Sequence, residues 1–69
     1  MLYKLRSFYR HGHKVIEAPN LDSAIRQARR HILDDRRNLS AAWLVDENNV
    51  ACYEGDYDTI KSLPAEVIA

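Results

Sequence analysis

One segment of the sequence, between Leu21 and Leu33, repeats its apolar residues at helical spacing. The apolar positions in it are Leu21, Ala24, Ile25, Ala28, Ile32 and Leu33. Because this i, i+3, i+4, i+7 spacing puts one apolar stripe along an α-helix, the helix needs another element to pack against. Asn20 is a favourable N-cap residue, and Asp22 brings negative charge to the first turn. We therefore predict a helix from Leu21 to about Asp35.

Segments typical of β-strands flank this helix on both sides, in pairs separated by turns. The four predicted strands are residues 2–10, 14–18, 41–45 and 50–54. Gly12 can adopt the positive φ that the first turn needs, and the Asn residues of 46–49 suit the second turn. The predicted fold class is α+β, with a single helix packed on a mainly antiparallel four-stranded sheet (ββαββ). The whole chain, residues 1–69, is one domain, and one helix leaves the second face of the sheet open.

The segments after the helix and after the second hairpin complete this prediction. Residues 36–39 leave the helix, and Gly55 closes the last strand. We expect Asp56 to cap a short C-terminal helical turn over residues 57–62. Residues 65–69 are predicted to form a short apolar tail.

Length, charge and cysteine content limit the class of protein. The chain has 69 residues, equal numbers of basic and acidic residues, and a single cysteine. One cysteine cannot form an internal disulfide, so we expect a reducing compartment and a cytoplasmic location. The sequence has neither a signal peptide nor an apolar run of the roughly 18 residues that a membrane span requires, so no membrane partner is expected.

Motifs that carry catalysis or hold cofactors are not found in the sequence. It has no glycine-rich phosphate loop, no nucleophile elbow and no HExxH pattern. Cys52 has no activating neighbour in the sequence, and His11 and His13 alone are too few ligands for a zinc site. We therefore predict no catalytic residues, no metal, no cofactor and no enzymatic activity.

The first strand carries basic residues and one aromatic residue on one side. If Tyr3, Leu5 and Tyr9 face the helix, alternation places the residues of the other parity together on the open side of the sheet. The residues of the other parity, which we expect to bind a partner, are Lys4, Arg6, Phe8 and Arg10. The alternative is that these basic side chains only cover the sheet with their aliphatic stems.

Three further residues are candidates for partner binding. Tyr53 or Leu44 lies near the basic face, depending on the register of the strands. Arg36 and Arg37 follow the predicted helix, where basic side chains stay exposed. The alternative for this charged helix end is a solvated face with internal ion pairs. We assign Trp43 to the core, facing the helix together with Val45.

The order of hairpin, helix and hairpin resembles that of a known group of proteins. The resemblance involves residues 15–25 (VIEAPNLDSAI), followed by Trp43-Leu44-Val45 and Val50-Ala51-Cys52-Tyr53-Glu54. This layout is similar to that of small phage-encoded anti-CRISPR proteins of the type I-F inhibitor group. The similarity is topological and covers about residues 2–54. The acidic, DNA-mimicking members are not matched, because this chain is neutral.

The resemblance implies a non-catalytic inhibitor that docks on a subunit of a CRISPR surveillance complex and blocks it. The sequence alone predicts a small binding module, whose partner is a host protein or a ribonucleoprotein complex. One alternative is a single-stranded nucleic-acid-binding domain that uses the open sheet face, since aromatic and basic side chains together suit nucleic acid. Another is a structural homodimer formed through sheet edges or open faces.

Overall fold

Four strands and four helices make up the described part of the chain. The computed structural model describes residues 1–9 and 11–68, so Arg10 and Ala69 lie outside the described residues. In chain order the elements are β1 (Leu2–Ser7), β2 (Lys14–Glu17), α1 (Leu21–Asp34), α2 (Arg36–Leu39), β3 (Ala41–Val45), β4 (Ala51–Asp56), α3 (Tyr57–Lys61) and α4 (Ala65–Ile68). The predicted α+β class is confirmed, and the helical turn predicted over residues 57–62 is present as α3. The short helices α2 and α4 were not predicted.

The sheet has the strand order β2-β1-β3-β4, and every neighbouring pair is antiparallel. Both predicted hairpins are present, and β1 joins them by pairing with β3. Alternation along β1 buries Tyr3, Leu5 and Ser7 on the side that the helices cover, which we call the inner face. The opposite side, the outer face, carries Leu2, Lys4, Arg6, Val15, Glu17, Ala41, Trp43, Val45, Ala51, Glu54 and Asp56.

Helix α1 begins and packs as its sequence predicts. The Oδ1 atom of Asn20 accepts a hydrogen bond from Ser23 N at 2.9 Å, which satisfies one of the free N–H groups of the first turn. Ala24, Ala28 and Ile32 are fully buried against the inner face. Small alanine side chains let the helix approach the sheet closely, so one helix seals most of this core.

The prediction that Trp43 and Val45 face the helix is wrong. In β3, Leu44 lies directly opposite Leu5, and Trp43 lies opposite Arg6. Residues directly opposite each other share a face, so Leu44 takes the inner position and Trp43 takes an outer one. Val45 is buried, but on the outer side and outside the main core cluster.

The first predicted strand is shorter than residues 2–10, so Tyr9, which was expected to face the helix, lies beyond the strand and is 64% exposed. β1 ends at Ser7, whose Oγ donates a hydrogen bond to Ala41 O at 3.0 Å and accepts one from Tyr9 N at 3.3 Å. This local bond turns the chain immediately after the strand. The positive φ expected at Gly12 is present, at 79°.

Two segments predicted as irregular are short helices instead. Residues 36–39 form α2, because Leu39 N donates to Asp35 O at 2.8 Å and the chain turns again instead of unwinding. The predicted tail forms α4, in which Val67 N donates to Pro64 O at 3.0 Å.

The end of the second hairpin also differs from the sequence prediction. Gly55 lies inside β4 instead of ending it. Asp56 precedes α3, as expected, but its carboxylate accepts from Thr59 Oγ1 at 3.3 Å and makes no cap bond to the backbone.

Candidate protein-binding face

Lys4, Arg6 and Phe8 lie together at the outer face, as the sequence predicts. Lys4 and Arg6 are exposed residues of β1. Phe8 follows the end of β1 and is 84% exposed. Arg10, the fourth member of the predicted stripe, lies outside the described residues.

Trp43 is the residue of this face that sequence reasoning missed. Its ring centroid lies 5.0 Å from that of Phe8, and the two ring planes are inclined by 53°. This tilted arrangement is a favourable one for an aromatic pair. The pair gives the Phe8 ring one packing contact while leaving most of that side chain open to solvent. The signal that would have found Trp43 is the pairing of β1 with β3, which sequence alternation does not contain.

A row of three side chains crosses the outer face from β1 to β4. Arg6 lies directly opposite Trp43, and Trp43 lies directly opposite Glu54. The row therefore consists of a cation, an aromatic ring and an anion, with the ring in the middle. Asp56, opposite Ala41 in the same strand pair, adds a second carboxylate on β4.

The charges of the outer face are largely separated by strand, although Glu17 of β2, opposite Leu2, is a carboxylate on the β1 side of the sheet. The basic residues Lys4 and Arg6 are on β1, whereas the acidic residues Glu54 and Asp56 are on β4. Within the described residues, neither Lys4 nor Arg6 forms an ion pair or a hydrogen bond through its side chain. The two cations are therefore available to an external partner.

Apolar side chains are also exposed on this side of the molecule. Leu2 is 51% exposed and Val15 is 56% exposed, and both flank Lys4. A depression of about 790 Å³ adjoins the ring pair and extends around the β4 edge to the inner side, so its lining residues include Phe8 and Trp43 and also the inner residue Tyr53. The outer face thus combines exposed cations, an aromatic pair and apolar surface, which is the mixture found at protein-binding surfaces.

Tyr53 does not belong to this face. It lies opposite Leu44 on β3, so its ring is on the inner side. Its hydroxyl accepts a hydrogen bond from Arg29 Nε at 3.1 Å, and the Arg29 guanidinium lies 5.4 Å from the ring centroid. Arg29 also reaches Val67 O at 3.5 Å, so this arginine of α1 attaches both β4, through Tyr53, and α4, through Val67, to α1.

Arg36 and Arg37 are not brought together with Lys4 and Arg6. The Arg36 guanidinium lies 4.8 Å from the ring centroid of Tyr57, and Lys61 Nζ lies 5.9 Å from the same centroid. Arg36 therefore joins α2 to α3 through a cation–π contact. Arg37 is exposed.

Cys52 is held as a thiol. Its Sγ donates to Leu44 O at 3.3 Å, and Cys52 is the extra residue at the bulge of β4 opposite Leu44 and Val45. Burial raises the pKa of the Cys52 thiol above its ordinary value of 9.0, and the negative charge of Asp46 raises it further. This shift is opposite to the lowered pKa of a catalytic cysteine.

Among residues 1–9 and 11–68, no group of three or more His, Cys, Asp or Glu side chains could hold a metal ion. Over the same residues, no helix has the length and apolar character to cross a membrane.

Comparisons with known proteins found no matching family model, no matching curated protein and no matching solved structure. The resemblance to anti-CRISPR inhibitors therefore stays a prediction from the sequence.

Proposed function

We propose that this chain is a non-catalytic binding module that docks on another protein through its outer face and blocks that protein sterically. The partner that fits this face presents carboxylates to Lys4 and Arg6 and an apolar recess to Phe8. Such charge-assisted contacts around an apolar anchor give both specificity and affinity.

One observation carries this proposal: Phe8 is 84% exposed, yet its ring is positioned against Trp43. Exposing an apolar ring to water is unfavourable, and nothing in the core requires Phe8 at this site. An exposed aromatic pair on the same face as Arg6 has the composition of a binding hot spot, in which Trp, Tyr and Arg are enriched.

A nucleic-acid partner is the alternative interpretation of this face, since Phe8, on the same face as Arg6, could stack on a base. The charge of the face favours a protein. Glu54 lies in the same cross-strand row as Arg6, and Asp56 is exposed on the same strand as Glu54. These carboxylates would repel a phosphate backbone that followed the row.

The proposal is tested by capture from a host-cell lysate with three forms of the chain. Wild type is compared with Phe8→Ala and with the matched control Arg30→Glu, which changes an exposed residue of α1. We expect wild type and the control to retain one stoichiometric protein. Phe8→Ala should weaken binding to that protein by about 30-fold, equivalent to the ~2 kcal/mol typical of a hot-spot residue.

The identified protein is then produced alone and its binding is measured by calorimetry. Treatment of the lysate with nuclease separates a protein partner from capture through nucleic acid. Equal binding by wild type and Phe8→Ala, or capture that nuclease abolishes, would contradict the proposal.

A further inference from the structure

The outer face has a charge pattern that is complementary to itself. Arg6, Trp43 and Glu54 form one row, with the cation and the anion on either side of the ring. Neighbouring strands lie about 4.8 Å apart, so the two charges are at nearly equal distances from Trp43 on opposite sides. The formal net charge of the chain is zero, so the repulsion between two copies is small.

A two-fold axis that is parallel to β3 and lies between two facing copies brings opposite charges together. When two outer faces meet across such an axis, β1 of one copy faces β4 of the other, and each β3 faces its counterpart. Because Arg6 and Glu54 are in the same row, each Arg6 is placed against the Glu54 of the other copy. The two Trp43 rings meet near the axis, in the centre of the contact.

We propose that this face also binds a second copy of the chain, forming a symmetric homodimer with reciprocal Arg6–Glu54 contacts around a central pair of Trp43 residues. In this arrangement the interface is isologous, so one favourable contact is always made twice. The resulting assembly has two sheets in the middle and helices on both outer sides, which is a standard form of sheet-on-sheet packing.

The sheet sets the size of this contact. The molecule measures 30 × 26 × 15 Å, and these extents include the helices and loops as well as the sheet. With the axis along β3, the strands that face a strand of the other copy are β1, β3 and β4, and β2 lies outside them. The contact is therefore compact and is centred on Trp43.

Pairing through the β4 edges is one competing way to form a dimer, and charge disfavours it. Two antiparallel β4 strands would bring Glu54 and Asp56 of one copy beside the same residues of the other. Like charges on paired strands are destabilising, and acidic side chains on an edge strand are a common protection against such pairing.

The test is the molar mass of the full chain in solution, measured by sedimentation equilibrium from micromolar to millimolar concentrations. Wild type is expected to approach twice the chain mass of 8.0 kDa. Arg6→Glu and Glu54→Arg are each expected to weaken the dimer at least about tenfold, because each places like charges at both contacts. Arg30→Glu, on the helical side, should leave it unchanged.

The two weakened variants are then mixed in equal amounts. In a mixed dimer, one copy supplies acidic residues at both positions and the other supplies basic residues at both. Both contacts are therefore attractive, and we expect a heterodimer at least as stable as the wild-type dimer. Circular dichroism of each variant confirms that it is folded, which is expected because both positions are exposed.

Three results would overturn the proposal: wild type that stays monomeric at every concentration, a dimer that neither charge reversal weakens, or a mixture that forms no heterodimer. The homodimer does not depend on the docking partner proposed above. A monomeric wild type that still binds its partner refutes only the homodimer, and a dimer that captures no partner refutes only the docking function. If both hold, the second copy and the partner compete for the outer face, so partner binding weakens as the chain concentration rises.

Discussion

Gly55 lies in β4 where the sheet approaches the ends of two helices. A Cβ atom added there would lie 2.9 Å from Ile32 Cδ1, 3.0 Å from Ile60 Cδ1 and 3.1 Å from Tyr53 Cε2. Ile32 and Ile60 are fully buried, so their terminal methyl groups have little space into which to move. The absence of a side chain at this position is therefore a packing requirement.

We expect Gly55→Ala to destabilise the fold by about 1–2 kcal/mol through overpacking. Urea unfolding followed by circular dichroism measures this change. Ala51→Ser, at an exposed position of the same strand, is the control and should change stability by less than about 0.5 kcal/mol. A Gly55→Ala protein as stable as wild type would show that the packing around Ile32 and Ile60 is looser than described.

Cys52 is expected to react slowly with thiol reagents. Its raised pKa reduces the thiolate fraction at neutral pH, and the thiolate is the reactive form. Alkylation by iodoacetamide at pH 8 should therefore be slower in the folded protein than in the urea-unfolded chain. Equal alkylation rates in the folded and unfolded chains would contradict this prediction.

The raised pKa of Cys52 also means that the folded state holds this proton more tightly than the unfolded state. The contribution to stability is thus complete below pH 9.0 and is lost as the pH rises above it.

Single residues also mark the limit of what the sequence could predict about the site. In β3, the side that carries Trp43 and Val45 has larger side chains than the side that carries Ala42 and Leu44. Side-chain size alone therefore predicts that Trp43 and Val45 face the helix, which is wrong. The correct orientation of β3 follows from its pairing with Leu5 and Ser7 of β1, a long-range contact that alternation within β3 does not reveal. The same pairing, continued into β4, moves Tyr53 to the inner face.

At the scale of elements, α1 is specified mainly by local information. Its N-cap, apolar spacing and first-turn charge all act within a few residues, and its start at Leu21 is predicted correctly. α4 was missed because Ala65-Glu66-Val67-Ile68 is too short for helical spacing to be evident. This helix is held from outside, by the contact of Arg29 with Val67 O.

Asn20→Ala should destabilise the fold by about 1 kcal/mol, because the N–H of Ser23 then loses its acceptor. Urea unfolding monitored at 222 nm gives the free energy. Asn48→Ala is the matched control, since Asn48 is an exposed residue of the turn between β3 and β4 and only its backbone N–H is bonded, to Asp46. A loss as large for Asn48→Ala as for Asn20→Ala would mean that the cap does not stabilise α1.

The whole molecule carries no net formal charge, and its outer face carries both signs. Affinity for single-stranded nucleic acid depends mainly on neutralising phosphates, so it requires an excess of cations along the binding path. We expect fluorescence anisotropy to detect no binding of a labelled oligo-dT by the chain in dilute buffer. Glu54→Lys, which adds a cation beside Trp43, is a positive comparison. Tight binding by wild type that weakens steeply with added salt would support the nucleic-acid alternative instead.

The pairing of β1 with β3 is the only seam between the two hairpins in the described sheet. It joins residues about forty positions apart in the chain, from Lys4 opposite Val45 to Ser7 opposite Ala42. A polypeptide divided after Ala18 would leave an unsatisfied strand edge on each piece, and each edge has its natural complement only in the other. Residues 1–18 and 19–69 are therefore complementary fragments. If each fragment is fused to one of two proteins that bind each other, reassembly of this fold would report on that binding.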